Sequence, residues 1–139
     1  MDGVLCNFKK SLEEHLLNDP KVLFPQRTPG FFKNLEAMEG ALASMQSLRN
    51  NANYDPYILT APYLFNTCSF SEKAEWVKTH LGEWWLERLI LCGDKSLLRG
   101  NILIDDHYSG RGQEGFQGHL MLFCKIRYPD WKSIMEKLK

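Results

Sequence analysis

Ile102-Leu103-Ile104-Asp105-Asp106 is a short, unbroken apolar run that stops on two adjacent carboxylates. A run that does not alternate suits a strand covered on both faces, as parallel strands are. Val4-Leu5, Tyr57-Ile58-Leu59 and Leu89-Ile90-Leu91-Cys92 have the same character, and His119-Leu120-Met121-Leu122-Phe123 is a fifth strand candidate. Helical patterns lie between them. Phe8, Leu12 and Leu16 recur on one stripe, and Ser69-Phe70-Ser71-Glu72 has the form of a capping box ahead of Ala74, Val77 and Leu81. Near the end, Asp130 can cap a helix on which Trp131, Ile134, Met135 and Leu138 share a face. Strands alternating with helices predict an α/β fold with a doubly wound parallel sheet, whose ligands bind outside the carboxyl ends of the strands.

One segment breaks the alternation. The stretch from the first strand to Tyr57 includes the Pro- and aromatic-rich Leu23 to Phe32, and it is far longer than a single crossover requires. It is expected to carry a small helical cap, inserted after the first strand at about residues 9–48 of a single domain spanning 1–139. The Gly-rich stretch from Tyr108 to Gly118 reads as a mobile loop.

A chain of 139 residues suits one core. Seventeen Lys and Arg balance seventeen Asp and Glu, so the basic excess that nucleic-acid polymers demand is absent. A small anion held by a few local cations remains compatible with that balance. Cys6, Cys68, Cys92 and Cys124 have neither metal-ligand nor redox spacing and read as reduced core thiols of a cytoplasmic protein. No apolar run approaches the ~18 residues of a membrane span, and Met1 to Leu5 do not resemble a signal peptide.

The strand ends carry the chemistry. Asp2-Gly3 stands at the first, Thr60 at the second, Asp94-Lys95 at the third and Asp105-Asp106 at the fourth. Each has an ordinary reading: Asp-Gly is a common turn, Thr60 could simply end a strand, and a lone lysine is usually solvated. The adjacent acids are harder to dismiss, because their mutual repulsion sits where the chain leaves the core. Taken in order, acid, hydroxyl, lysine and acid pair form a set suited to a hard cation and a phosphoryl group. No phosphate-binding loop ending in Gly-Lys-Ser/Thr is present, so side chains and strand-end amides would have to hold the phosphate.

These motifs resemble those of the haloacid dehalogenase superfamily. Met1-Asp2-Gly3-Val4-Leu5 is similar to its opening Asp-x-Asp-Gly-(Val/Thr)-Leu from the second position onward. Ile58-Leu59-Thr60, Lys95 and Asp105-Asp106 match its second, third and fourth motifs. Pro29 to Phe32, Glu72 to Val77, Asp94 to Ser96 and Leu103 to Asp106 narrow the resemblance to the 5′(3′)-deoxyribonucleotidase branch. The resemblance implies a Mg²⁺-dependent phosphomonoesterase acting on (deoxy)ribonucleoside monophosphates through an aspartyl-phosphate. Asp2 would be the general acid–base, with its carbonyl on the metal. Asp106 would be the direct metal ligand, with Asp105 in support. Thr60, Lys95 and Lys73 would bind phosphate, and Phe8, Phe31 and Phe32 would wall the base pocket. No membrane partner is implied, and a homodimer is compatible with the reading.

The position of the family's nucleophile immediately precedes Met1, and Gly3-Val4-Leu5 fixes that register. The chain as written is therefore expected to lack the covalent route, and to bind magnesium less well for want of one carboxylate. The simplest account is a start at an internal methionine, or a shortened chain. In such a fold the first strand lies in mid-sheet, so a stub there should deprive its neighbours of ladder partners and leave the chain poorly stable. A non-catalytic nucleotide- or phosphate-binding module is the competing reading. A phosphoacceptor signalling domain ranks lowest, because its acid pair comes early and its lysine last.

Overall fold

The unbroken apolar runs pair in parallel. The computed structural model describes all 139 residues, and its strand β1 (Ile58–Thr60) pairs with β2 (Leu89–Leu91), Ile58 opposite Leu89 and Thr60 opposite Leu91. Strand β3 (Ile102–Asp105) pairs with β4 (His119–Leu122), placing Asp105 opposite Leu122. The chain is thus a mixed α/β fold with parallel strands, in two separate two-stranded sheets.

Val4-Leu5, expected as a strand, is instead part of a turn. The amides of Val4, Leu5 and Cys6 all point to the Met1 carbonyl, at 3.1, 2.7 and 3.1 Å. Gly3 supplies the left-handed backbone that the turn needs, with φ +70°. Only isolated bridges, Asp2 with Cys6 and Cys6 with Ala37, tie the segment to sheet-like partners. β1 and β3 each pair on one side, and between the two sheets lies a cavity of about 680 Å³ lined in part by Met1, Ile58, Leu59, Leu103 and Ile104.

Helix α1 (Phe8–Asn18) starts at Asn7, whose side chain accepts from the Lys10 amide, and Phe8 and Leu12 of its stripe pack on the core. Residues 9–48 hold most of α1, the 3₁₀ turns Pro25–Arg27 and Phe32–Asn34, and most of α2 (Ala41–Asn50). Ala41, Met45 and Leu48 recur at helical spacing and bury the inner face of α2, which packs on α3 (Ser69–Leu81) and α4 (Trp131–Lys137). Asp130 caps α4 as expected, accepting from the Ser133 amide at 2.8 Å in a reciprocal capping box. Trp131 then reaches back to donate its indole N–H to the Val4 carbonyl at 2.8 Å, fastening the last helix to the first turn.

The capping box expected at Ser69 to Glu72 does not form. Cys68 precedes the first turn of α3 with no side-chain cap, and the Ser69 hydroxyl instead accepts from the Tyr63 amide and donates to the Tyr63 carbonyl. Glu72 is buried and accepts the backbone N–H groups of Gly30 and Phe32, which lie 42 and 40 residues away along the chain. Those two amides lie in irregular backbone without a ladder, so a buried carboxylate serves them better than it would serve its own helix end. The buried face of α3 is accordingly Glu72, Lys73, Trp76 and Val77, with the Trp76 indole donating to the Leu35 carbonyl at 2.7 Å. The four cysteines are free, but only Cys6 is a core thiol; Cys68 and Cys92 are half-buried and Cys124 is exposed.

Two outcomes follow from this packing. The open cavity between half-paired sheets should keep the thermal midpoint of the 139-residue chain below about 60 °C, read by calorimetry; ordinary domains reach about 45–65 °C. Glu72→Ala should lose about 3 kcal/mol in urea unfolding, because it strands two amides that a charged acceptor had satisfied. A loss under ~0.5 kcal/mol, the scale of an ordinary surface substitution, would show that Glu72 does not dock the segment.

Candidate active site

Lys73 is a cation drawn fully inside the protein, and its surroundings explain how that is tolerated. An ammonium cannot leave water without acceptors for its protons. Here it donates to Asp2 Oδ2 at 2.7 Å, Thr60 Oγ1 at 3.0 Å and the Ala61 carbonyl at 2.6 Å. The Phe32 ring lies beneath it, 5.0 Å from nitrogen to centroid, adding a cation–π contact. One lysine on α3 therefore joins the N-terminal turn to the carboxyl end of β1.

A second cation–carboxylate pair completes the set. Lys95, at the start of the 3₁₀ turn Lys95–Leu97 that follows β2, is buried and donates to Asp105 Oδ2 at the end of β3. Asp105 Oδ1 accepts from the His107 amide at 2.9 Å and from Gln113 Nε2 at 3.2 Å. Burial opposes ionisation of Asp105, but the Lys95 hydrogen bond, the His107 amide and the remaining attractions outweigh it and hold the carboxyl below its ordinary value. The exposed Asp94 acts locally, accepting from the Ser96 amide at 3.0 Å and so capping the 3₁₀ turn.

Asp106 is placed differently from its neighbour. Its carboxylate lies against the Asp2-Gly3 backbone so closely that a Cβ on Gly3 would overlap Asp106 Oδ2. Its side-chain contact is His107 Nδ1, 3.1 Å away on an exposed ring. Asp2 Oδ1 is buried and has no hydrogen-bond partner.

The donor set fits a hard cation. Carboxylate oxygens of Asp105 and Asp106 and a His107 ring nitrogen lie within 4.8 Å of one another. Both Asp105 oxygens already have protein donors, whereas Asp106 and the orphaned Asp2 Oδ1 retain free acceptor capacity of the kind magnesium takes.

Asp2, Thr60 and Lys73 are thus joined directly, Asp106 lies against the adjoining Gly3, and Lys95 and Asp105 form a pair of their own. The aromatic residues need a correction. Phe31 and Phe32 are 4% and 1% exposed, with centroids 5.2 Å apart, and belong to the core beneath the site, so neither leaves a ring face open to a base. Both are apolar rings in a segment that Glu72 pulls inward, which their sequence context does not reveal. Phe8, half-buried, packs edge-on to Phe31 at 5.5 Å. Gln113 and His107 were not anticipated. His107 could have been flagged by its place directly after the acid pair, but Gln113 had no signal within a Gly-rich loop.

A family model described as 5′ nucleotidase, deoxy (Pyrimidine), cytosolic type C protein matches residues 18–127. The human 5′(3′)-deoxyribonucleotidase, cytosolic type, is 37% identical over 106 residues, covering 75% of this chain and 53% of that protein. The mouse mitochondrial 5′(3′)-deoxyribonucleotidase is 32% identical over 106 residues, 76% of this chain and 42% of its own length. The human mitochondrial protein is 34% identical over 124 residues, 76% and 54% respectively. The chain spans about half the length of the curated relatives it matches.

The Lys95–Asp105 pair generates a pH dependence. Because the folded pKa of Asp105 is lowered, its contribution is complete above the ordinary carboxylate value near 3.8 and is lost as pH falls through the lowered one. In chelator, Asp105→Asn should be about 3–5 kcal/mol less stable at pH 6 but should lose less further stability between pH ~4 and ~2. Urea melts of both proteins across that range check this; parallel pH curves would remove Asp105 as the acid-sensitive group.

Proposed function

The chain belongs to the cytosolic type C 5′ (deoxy)nucleotidase family, and from that premise we propose that it carries the acid–base, phosphate-binding and metal-binding groups of a magnesium-dependent nucleoside monophosphatase. The observation that carries the reading is the Lys73 ammonium, bonded at once to Asp2 and Thr60 from two different elements. A phosphoryl group entering there meets Lys73 and Lys95 as cations and the Thr60 hydroxyl as a donor, which is what its spread of charge requires.

The proposed reaction is a two-step transfer. The attacking carboxylate is that of the first aspartate in the family motif, whose position precedes Met1. As its oxygen bonds to phosphorus, the bond from phosphorus to the nucleoside oxygen breaks, and Asp2 gives that oxygen its proton. Asp2 then takes a proton from the water whose oxygen attacks phosphorus and breaks the aspartyl–phosphorus bond, which frees phosphate and restores the attacking carboxylate and the protonated Asp2. Asp106 and the Asp2 carbonyl would hold Mg²⁺, with Asp105 in support through Lys95. When bound, the ion neutralises charge on the phosphoryl oxygens. Phe8 keeps enough exposure to meet a base at the rim.

The same premise proposes the haloacid dehalogenase architecture, a doubly wound sheet with a cap, and two parallel pairs flanking one cavity support it. No helix is long and apolar enough to cross a membrane, and a cytoplasmic location is part of the proposal.

With the motif aspartate present upstream, Asp2→Asn should reduce phosphate release from deoxyribonucleoside 5′-monophosphates by about 10²–10⁴-fold, with nucleotide binding retained. A malachite-green assay with calorimetric binding reads both quantities. Undiminished turnover would remove Asp2 from the acid–base role. Binding without turnover in the unsubstituted protein would point instead to a nucleotide-binding module.

A further inference from the structure

Gln113 is 3% exposed and spends both ends of its amide. Its Oε1 accepts from the Arg111 amide at 2.8 Å, and its Nε2 donates to Asp105 Oδ1 at 3.2 Å. The loop it sits in is laced to the lysine turn as well, because the Lys95 amide donates to the Arg111 carbonyl at 2.7 Å. Glycines permit the approach. Gly112 has φ +78°, and a Cβ there would overlap Asp94 Oδ1 and stand 3.0 Å from the Lys95 nitrogen. A Cβ on Gly115 would stand 2.8 Å from Ser96 Cβ. The stretch read from its glycines as a mobile loop is therefore pinned at Arg111 to Gly115, against the backbone that carries Lys95.

We infer that Gln113 is a positioning residue that commits Asp105 to Lys95 and so leaves Asp106 as the open carboxylate of the pair, an inference that rests on the phosphatase reading above. Two adjacent aspartates at one strand end are equivalent in sequence and would compete for any cation nearby. The structure distinguishes them by donors. Asp105 Oδ1 is filled by Gln113 and the His107 amide, which turns Oδ2 toward Lys95, while Asp106 receives no protein amide of this kind. A neutral amide suits this role. It fills an acceptor without bringing a second cation to draw the phosphate from Lys95, or a third carboxylate to compete for metal. With the Asp105 oxygens held, the Lys95 ammonium keeps one direction, which a phosphate ligand can use without reorganising it.

Gln113→Met keeps the length and removes both polar ends. Gln113→Glu keeps the acceptor for the Arg111 amide and removes the donor to Asp105. Three readouts are taken at 20 °C on each folded protein: the rate of Lys95 acetylation by trace acetic anhydride without ligand, the affinity for inorganic phosphate with magnesium, and the thermal midpoint. Lys95 should be labelled about tenfold faster in both variants, and phosphate affinity should fall about tenfold, the scale of one charge-assisted hydrogen bond. In Gln113→Glu the Arg111 amide should keep its protection from hydrogen exchange. A lower midpoint with unchanged Lys95 labelling would make Gln113 a loop latch only and overturn the inference. If the unsubstituted protein binds no phosphate, the phosphatase reading fails, and the labelling rates still decide whether Gln113 orients the pair. If Gln113→Met does not fold, Gln113→Glu decides alone.

Discussion

A buried ammonium is the constraint around which this protein is arranged. Lys73 is inside, so it must be given acceptors, and the fold provides them from the N-terminal turn, the end of β1 and the residue after it. That demand fixes where Asp2 stands relative to Thr60 and how deeply α3 docks. It also explains the residue beside it. Glu72, one position earlier on α3, uses its charge on the backbone of the segment that brings Phe32 under the ammonium. Two consecutive charged residues on one helix thus organise two different parts of the molecule, and neither is solvated in the usual way.

The Lys95–Asp105 pair repeats the arrangement between the ends of β2 and β3, with different support. Lys73 relies on backbone and hydroxyl oxygens, whereas Asp105 relies on amide donors from His107 and a distant glutamine. The Gly3 backbone lies between these two halves and accepts Asp106 at a distance that any side chain would prevent. The Asp-Gly pair is therefore more than a turn signal: the glycine admits the carboxylate that the aspartate works beside.

Local signals were legible in the sequence where local physics decides. Ile102 to Ile104 reads as a parallel strand because its apolar side chains must be covered on both faces, and Asp130 reads as a cap because its partner amide is three residues away. The strand-end order of Asp2, Thr60, Lys95 and Asp105-Asp106 also pointed to groups that the fold gathers. What escaped were contacts between segments far apart in the chain. Glu72 has the spacing of a capping box and a more demanding partner elsewhere. Phe31 and Phe32 have the chemistry of a base pocket and the position of a core. Val4 and Leu5 are as apolar as a strand, but Gly3 turns the chain before they can extend. Gln113 has no periodicity to betray it, since its value lies in a single amide placed by loop geometry.

The half-paired sheets have a consequence for how this chain behaves in company. β1 and β3 each leave one backbone edge without a ladder partner beside an apolar cavity. Unsatisfied strand edges are templates, and natural proteins protect theirs with charge, proline or covering segments. Apolar runs such as Ile58-Leu59 and Leu103-Ile104 offer little of that protection. At high concentration, solubility will therefore be governed by edge-to-edge association of partly opened molecules more than by the balanced surface charge.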